Sequence, residues 1–129
     1  GEDDTSFNKT IKFIKEVSPS RIHVFSFSPR RGTRAFDFDY RVPARVTKER
    51  VKYAKELASE LSNAFCRMHI DSELSVLIES GTDSKADFCR GYSDNYIKVF
   101  VPEAKDIVNS IVRVKVVKTH QDGVLASLT

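Results

Sequence analysis

The sequence has little cysteine and no long hydrophobic run. Cys66 and Cys89 are the only cysteines among its 129 residues, and they lie 23 positions apart. Two cysteines at this spacing do not make a disulfide framework, so a reducing, cytoplasmic compartment is the default expectation. No apolar run approaches the length of a membrane span, and no signal-peptide core lies near the N-terminus. We therefore expect a cytoplasmic protein with no membrane partner.

The sequence also lacks the motifs that most catalytic sites need. It has no glycine-rich phosphate loop, and no Ser/His/Asp set has support in the sequence. Cys66 and His69 have the spacing of a two-ligand metal motif, and Cys89 could be considered as a third ligand. A metal site needs three or four converging ligands, however, and free cysteines are usually small buried hydrophobic residues. We therefore expect no metal site and no catalytic residue in this chain.

Charge is unevenly distributed along the chain. Hydrophobic residues make up 40% of the sequence and charged residues 30%, which is typical of a soluble globular protein. The net charge is +3, yet residues 1–69 contain 14 Lys and Arg against 9 Asp and Glu, whereas residues 70–129 contain 7 against 9. A locally basic segment mildly favours a nucleic-acid partner.

A helix followed by a short strand is predicted for the first part of the chain. Thr5 is a candidate helix cap, and apolar residues recur after it at three- and four-residue spacing. Pro19 disfavours helix at Ser18 and so ends this element. Ile22–Phe27 then alternates like a short buried strand. The order helix, turn, strand is half of a βαβ unit, so this strand should belong to a larger parallel sheet.

A loop and a second helix come next. Pro29–Pro43 is predicted to be a loop, with Gly32 as the natural site of unusual backbone angles. Thr47 is expected to cap a helix with one apolar stripe, and this helix should run to about Arg67.

From Ile70 onward the apolar period changes to two, which indicates strands. Five short strands in about sixty residues predict a small antiparallel barrel of the OB type. The expected fold is therefore α+β, with residues 1–46 as a helix–strand piece, residues 47–69 as a linking helix and residues 70–129 as the barrel. The predicted turns between the strands are Gly81–Asp83, Asp94–Asn95, Glu103–Asp106 and Asp122–Gly123.

Three motifs, in this order, resemble the C-terminal part of the radical-SAM methylthiotransferases that modify tRNA. The first is Phe27–Ala35, "FSPRRGTRA", which is similar to the family's aromatic–Ser–x–Arg–x–Gly–Thr–x–Ala pattern. It is followed by Val42-Pro43 and a long basic helix. The third is Gly91–Tyr96, "GYSDNY", which resembles the signature of the family's TRAM domain, a small β-barrel. This last motif is most similar to the branch that modifies threonylcarbamoyladenosine next to the anticodon.

The resemblance implies that the chain is a fragment of a larger enzyme. Residues 1–46 would be the remnant of a radical-SAM, TIM-like barrel, and residues 70–129 would be the TRAM domain. The family's chemistry implies [4Fe–4S] clusters and S-adenosylmethionine in the parent enzyme. Two distant cysteines cannot hold such a cluster, so we expect no cofactor in this fragment. The expected partner is the anticodon stem-loop of tRNA.

Two groups of residues are candidates for binding RNA or substrate. The first group follows the predicted strand, where ligand sites in parallel barrels cluster, and its guanidinium groups suit phosphate or carboxylate. The second group lies in or next to the TRAM-like motif, where tyrosines could stack on bases and a lysine could meet phosphate. The candidates are Arg30, Arg31 and Arg34 in the first group, and Tyr92, Asn95, Tyr96 and Lys98 in the second.

Two other functions are compatible with the sequence. The chain could be a stand-alone RNA-binding module of TRAM or OB type, or a structural or oligomerisation domain without a nucleic-acid role. If Ile22–Phe27 is a barrel strand without its neighbour, its edge is unpaired and invites pairing with a second copy. We therefore expect either self-association through Ile22–Phe27 or poor order in that segment, with the barrel folded in both cases.

Overall fold

The protein divides into two compact units. The computed structural model describes residues 1–80, 88–102 and 107–129. Unit 1 comprises Gly1–Leu61 and unit 2 comprises Ser62–Thr129, so the boundary falls inside the second helix. The domain limits 1–46, 47–69 and 70–129 remain a prediction. No helix in the described ranges has both the length and the apolarity needed to cross a bilayer.

Helix α1 spans Asp4–Val17 and begins one residue after its cap, Asp3. The Asp3 carboxylate accepts a hydrogen bond of 2.7 Å from the backbone N–H of Ser6, which satisfies one of the free donors at a helix start. The cap therefore lies two residues before Thr5, the residue that the sequence suggested. Ser18 ends the helix with φ 48°, and its N–H donates to the carbonyl of Ile14.

The segment between the two helices contains no strand. From Arg21 to Pro29 the backbone has no regular secondary structure, and the first regular element after α1 is a 3₁₀ helix at Arg34–Asp37. The predicted strand at Ile22–Phe27 is therefore wrong. A strand needs a partner for its backbone groups, and no described residue supplies one. Phe25 and Phe27 are 83% and 69% exposed, so the alternation of apolar residues does not reflect burial here.

Helix α2 spans Ala44–Met68, close to the prediction of Thr47 to Arg67. Its first turn follows Pro43, whose carbonyl accepts from the N–H of Thr47 at 3.0 Å. Within unit 1, Arg50 joins α2 to the start of α1. Its guanidinium contacts the carboxylates of Glu2 and Asp4 at 3.4 and 2.8 Å, and it lies 4.9 Å from the centre of the Phe7 ring.

Unit 2 is a closed five-stranded barrel. The strands occur where the sequence predicts them, and the ring order is β1-β2-β3-β5-β4. Two of the predicted turns, Gly81–Asp83 and Glu103–Asp106, lie outside the described residues. The strands are β1 (Glu73–Ser80), β2 (Phe88–Ser93), β3 (Lys98–Pro102), β4 (Ile111–His120) and β5 (Gly123–Leu128).

The barrel is mixed rather than antiparallel. β3 and β5 pair in parallel, through Val99 with Val124 and Phe100 with Leu125, whereas the other four neighbouring pairs are antiparallel. The prediction of an antiparallel barrel is wrong on this point, for a topological reason. In a closed ring with an odd number of strands, direction cannot alternate all the way round, so at least one neighbouring pair must be parallel.

The barrel interior is one apolar cluster. Alternate residues of each strand point inward, as in β1, where Val76 and Ile78 are buried while Leu77 faces outward. Burial of such aliphatic side chains stabilises a fold by about 1.5–3 kcal/mol each. Cys66 of α2 and Cys89 of β2 are members of this cluster and both are free thiols. Burial raises the pKa of the Cys66 thiol, with a smaller contribution from the charge of Asp122.

Candidate nucleic-acid interface

The "GYSDNY" motif forms the end of β2 and the tight turn into β3. The N–H of Tyr96 donates to the carbonyl of Ser93 at 3.0 Å, and the N–H of Ser93 donates to the carbonyl of Ile97 at 3.0 Å. Tyr96 has φ 63°, in the left-handed region. This is the pattern of a three-residue hairpin loop whose last residue is left-handed. Its tip places the side chain of Tyr96 in solvent, 74% exposed.

Ser93 and Asn95 fix this turn from inside. The Ser93 hydroxyl, which is buried, accepts from the N–H of Ile97 at 3.0 Å and donates to Oδ1 of Asn95 at 2.6 Å. Nδ2 of Asn95 lies 3.0 Å from Nε2 of His69. Both ends of the Asn95 amide are thus bonded within the chain. The structure places this predicted RNA-binding residue in the body of the turn, half-buried.

Lys98 and Tyr92 lie side by side on the outer face of the barrel, on neighbouring strands. The ammonium group of Lys98 lies 2.9 and 3.0 Å from the two carboxylate oxygens of Asp122 and 5.3 Å from the centre of the Phe100 ring. Its charge is therefore already paired, although a partly exposed pair of this kind typically contributes only about 0–1 kcal/mol. A phosphate group could replace the Asp122 carboxylate as the partner of Lys98 at a small cost in free energy. The side chain of Tyr92 is half-buried and so less accessible than that of Tyr96.

The three arginines lie together in one exposed loop of unit 1. Thr33 shapes this loop, because its hydroxyl donates to the carbonyl of Arg30 at 2.7 Å, and Gly32 adopts φ 81°. Arg30, Arg31 and Arg34 are all exposed, and within the described part of the chain no ion pair involves them. All three guanidinium groups are therefore open to solvent, and Arg34 is the first residue of the 3₁₀ helix.

The residues present do not fit an iron–sulfur cluster. Both cysteines are in the barrel core, and in the described ranges no three His, Cys, Asp or Glu side chains are grouped as metal ligands would be. Cluster ligation needs several thiolates at one place. The described chain therefore offers no candidate position for a cluster.

No protein-family model matches the chain, but full-length curated proteins do. Threonylcarbamoyladenosine tRNA methylthiotransferase MtaB of Chlamydia pneumoniae is 30% identical over 129 residues, which is 99% of this chain and 30% of the relative. MtaB of Bacillus subtilis is 34% identical over 121 residues, 92% of this chain and 27% of the relative. The chain is homologous to the C-terminal part of the tRNA methylthiotransferases. A tRNA-2-methylthio-N(6)-dimethylallyladenosine synthase of Bacillus velezensis is also 34% identical, over 97% of this chain and 25% of the relative.

These relatives confirm the resemblance that the motifs indicated, including the threonylcarbamoyladenosine branch. The chain spans about 30% or less of the length of the tRNA methylthiotransferases that it matches. In the methylthiotransferase-like motif four of the six residues have an identifiable place in the turn. A Cβ at Gly91 would collide with the backbone carbonyl of Leu77 on β1, Ser93 and Asn95 close the turn, and Tyr96 is the exposed tip.

One residue of this site was missed by sequence reasoning. His69 was considered only as a possible metal ligand, on the basis of its spacing from Cys66. The structure places it against Asn95, 26 residues further along the chain. No local pattern indicates that contact. A histidine in the four-residue connection between a long helix and the first strand was the available clue, because such a junction lies beside the barrel.

Proposed function

We propose that this chain is the tRNA-binding region of a tRNA methylthiotransferase, and that its barrel contacts the anticodon stem-loop of the substrate tRNA. The parent enzyme would add a methylthio group to a modified adenosine next to the anticodon. Iron–sulfur clusters and S-adenosylmethionine would be bound by parts of the enzyme outside this chain, which by itself is not catalytic. The observation that carries the proposal is the exposed ring of Tyr96 at the tip of the motif turn.

The chemistry of the turn suits an unpaired base. Sequence-specific RNA recognition mostly uses single-stranded loops, whose bases can stack on exposed aromatic side chains. The ammonium group of Lys98 would leave the Asp122 carboxylate and pair with the phosphate next to that base. Because residues 70–129 contain 7 Lys and Arg against 9 Asp and Glu, we expect binding to be weak and sensitive to salt.

The experiment compares two exposed tyrosines in titrations of a fluorescent anticodon stem-loop. Tyr96→Ala should weaken binding by roughly 5- to 150-fold, the range that alanine substitution of a base-stacking residue gives. The matched control is Tyr40→Ala, whose ring is also exposed but lies in unit 1. If the Tyr96→Ala variant and the unsubstituted chain bind the stem-loop with equal affinity, the proposal is refuted. Binding that does not respond to salt would also refute it.

The arginine loop would act in the full-length enzyme. Arg30, Arg31 and Arg34 would approach substrate phosphate or a cofactor carboxylate, with most of that site supplied by other parts of the enzyme. Replacing all three by alanine in the full-length enzyme should reduce modification of tRNA. The same replacement in the isolated chain should lower RNA affinity less than Tyr96→Ala does.

Self-association is a second candidate function, favoured by the exposed aromatic residues of unit 1. Phe25, Phe27, Phe38 and Tyr40 line a cleft of about 610 Å³, and large exposed apolar patches mark interaction surfaces. Because Ile22–Phe27 is not a strand, the contact would be between side chains rather than between strand edges. Sedimentation at increasing protein concentration should show a dimer that Phe25→Ser abolishes. A monomer at all concentrations would exclude this role.

A further inference from the structure

We infer that His69 and Asn95 are positioning residues that hold Tyr96 in its outward, left-handed conformation for stacking on RNA. The inference rests on the proposed function, because it takes Tyr96 as the residue that meets the base. It gives Asn95 a different task from the one that its place in the motif suggested. It also adds His69, which lies outside the motif.

Tyr96 occupies a position that normally favours glycine. A residue with a Cβ is strained at φ 63°, and in three-residue hairpin loops the left-handed position is usually glycine. Strained residues persist only where their surroundings determine the conformation, and they cluster at ligand-binding sites. Glycine would form this turn more easily but would present no ring to solvent. The strain therefore has to be opposed by other contacts of the turn.

The hydrogen bonds around Asn95 supply that opposition, and their directions follow from the tautomer of His69. Nδ1 of His69 lies 2.9 Å from the carbonyl oxygen of Phe65. A carbonyl can only accept, so Nδ1 has the proton, and in that tautomer Nε2 is an acceptor. Nε2 then accepts from Nδ2 of Asn95 at 3.0 Å, which leaves Oδ1 of Asn95 to accept from the Ser93 hydroxyl at 2.6 Å.

His69 is itself held firmly at the end of α2. Its ring centre lies 4.6 Å from that of Phe65, which packs against the barrel core. Its backbone N–H donates to the carbonyl of Cys66, and its own carbonyl accepts from the Ser72 hydroxyl at 2.6 Å. The turn is thus bonded to an element whose position is set by the core. This contact, rather than the local sequence alone, fixes the orientation of the turn.

One N–H and one lone pair of the Asn95 amide are consequently committed within the chain. The N–H faces His69 and the lone pair faces Ser93. Removing the acceptor on His69 should free Asn95 and let the turn relax, so that Tyr96 spends less time in the stacking orientation. The loss of RNA affinity caused by a change at His69 should therefore depend entirely on the presence of the Tyr96 ring.

The experiment uses His69→Leu, which removes the acceptor, and His69→Gln, whose side-chain oxygen can take the place of Nε2. The affinity for the anticodon stem-loop is measured for each His69 substitution twice, once in the otherwise unchanged chain and once together with Tyr96→Ala. His69→Leu should weaken binding about three- to tenfold, the factor that corresponds to one hydrogen bond. His69→Gln should restore affinity to within twofold. In the Tyr96→Ala background His69→Leu should have no further effect, as expected for coupled residues.

A readout without RNA separates this inference from the proposed function. In the ¹⁵N NMR spectrum of the free protein, Nδ1 of His69 should have a proton and Nε2 should be an acceptor, and Asn95 should have one slowly exchanging side-chain N–H. The positioning roles would be overturned by an NMR spectrum that places the proton on Nε2. They would also be overturned if His69→Leu lowered RNA affinity equally in the presence and in the absence of the Tyr96 side chain. Unchanged affinity of the His69→Leu variant would do the same. An unchanged affinity of Tyr96→Ala alone would instead refute the proposed function. His23→Leu, in the exposed segment of unit 1, is the control.

Discussion

The two units differ in how much apolar surface they bury. In the described part of unit 2, twelve hydrophobic residues form one buried cluster inside the barrel. Among the described residues of unit 1, only Ile11 and Leu57 are buried hydrophobic residues. Contacts of Arg50 with Glu2, Asp4 and Phe7 add to the packing of α1 on α2. Unit 2 has its own core, whereas unit 1 relies on one pair of helices.

The aromatic residues show the same contrast. In unit 1, Phe13, Phe25, Phe27, Phe38 and Tyr40 are all more than half exposed. In the described part of unit 2, Tyr96 is the one aromatic residue with comparable exposure. Many exposed rings on a thinly packed unit indicate a broad contact surface, whereas a single exposed ring is common on any protein, so Tyr96 is a candidate because of its place in the motif turn. The cooperative stability of this chain should therefore belong to unit 2.

The largest effect is expected from removing a core side chain of the barrel. Ile78 is 0% exposed, so Ile78→Ala should lower the free energy of unfolding of unit 2 by about 2–5 kcal/mol. Urea unfolding followed by circular dichroism measures this. The matched control is Ile111→Ala in β4, because Ile111 is 72% exposed. Similar losses for the two variants would contradict the assignment of the barrel interior as the core.

A smaller effect is expected from adding a methyl group at a glycine of each unit. In unit 2, Gly91→Ala would force the new Cβ against the Leu77 carbonyl, and overpacking of this kind costs about 1–3 kcal/mol. In unit 1, Gly32 has φ 81° and open space around it, so Gly32→Ala costs about 1 kcal/mol of local strain. Thermal unfolding should show a lower midpoint for Gly91→Ala and an unchanged barrel midpoint for Gly32→Ala. A lower barrel midpoint in the Gly32 variant would show that the units unfold together.

The smallest effect concerns the cap of α1. The hydrogen bond from the Ser6 N–H holds the pKa of the Asp3 carboxyl below its ordinary value of 3.8. Stabilisation from this cap is therefore complete above the ordinary value and is lost as the pH falls through the lower, folded-state pKa. NMR shifts of residues 4–8 should report less helix on acidification, while the barrel strands stay unchanged. Asp3→Asn keeps a capping oxygen that does not titrate, so the same acidification should reduce the helix of its α1 less, with the remaining loss due to the carboxylates of Glu2 and Asp4 that pair with Arg50.

Much of the fold could be predicted from the chain because local patterns determine it. The stripe that ends near Phe65 predicted α2 to within a turn, and the apolar period of two that begins at Ile70 predicted β1. Ile22–Phe27 shows the same alternation and forms no strand, because alternation reports burial only where a neighbouring strand exists. The parallel pair of β3 with β5 is a property of ring closure, which no single segment encodes.

The candidate site was predictable in part. The motif led to Tyr96, and the structure leaves its ring exposed, although its contact with RNA stays a prediction. The motif could not separate Tyr96 from Asn95, since both are polar residues of one turn and differ only in where their hydrogen bonds go. His69 was out of reach because its partner is distant in sequence.

The order of the strands in the ring has a consequence for biosynthesis. β5 is the last of the five strands to leave the ribosome, yet its place is between β3 and β4. While β5 is still missing, β3 and β4 each have an edge of unpaired N–H and C=O groups, and such edges pair readily with other chains. The first four strands can collapse during translation, but closure must wait until Leu128 has emerged. The time needed to translate β5 is thus the period in which a nascent chain is most open to aggregation and most in need of chaperones.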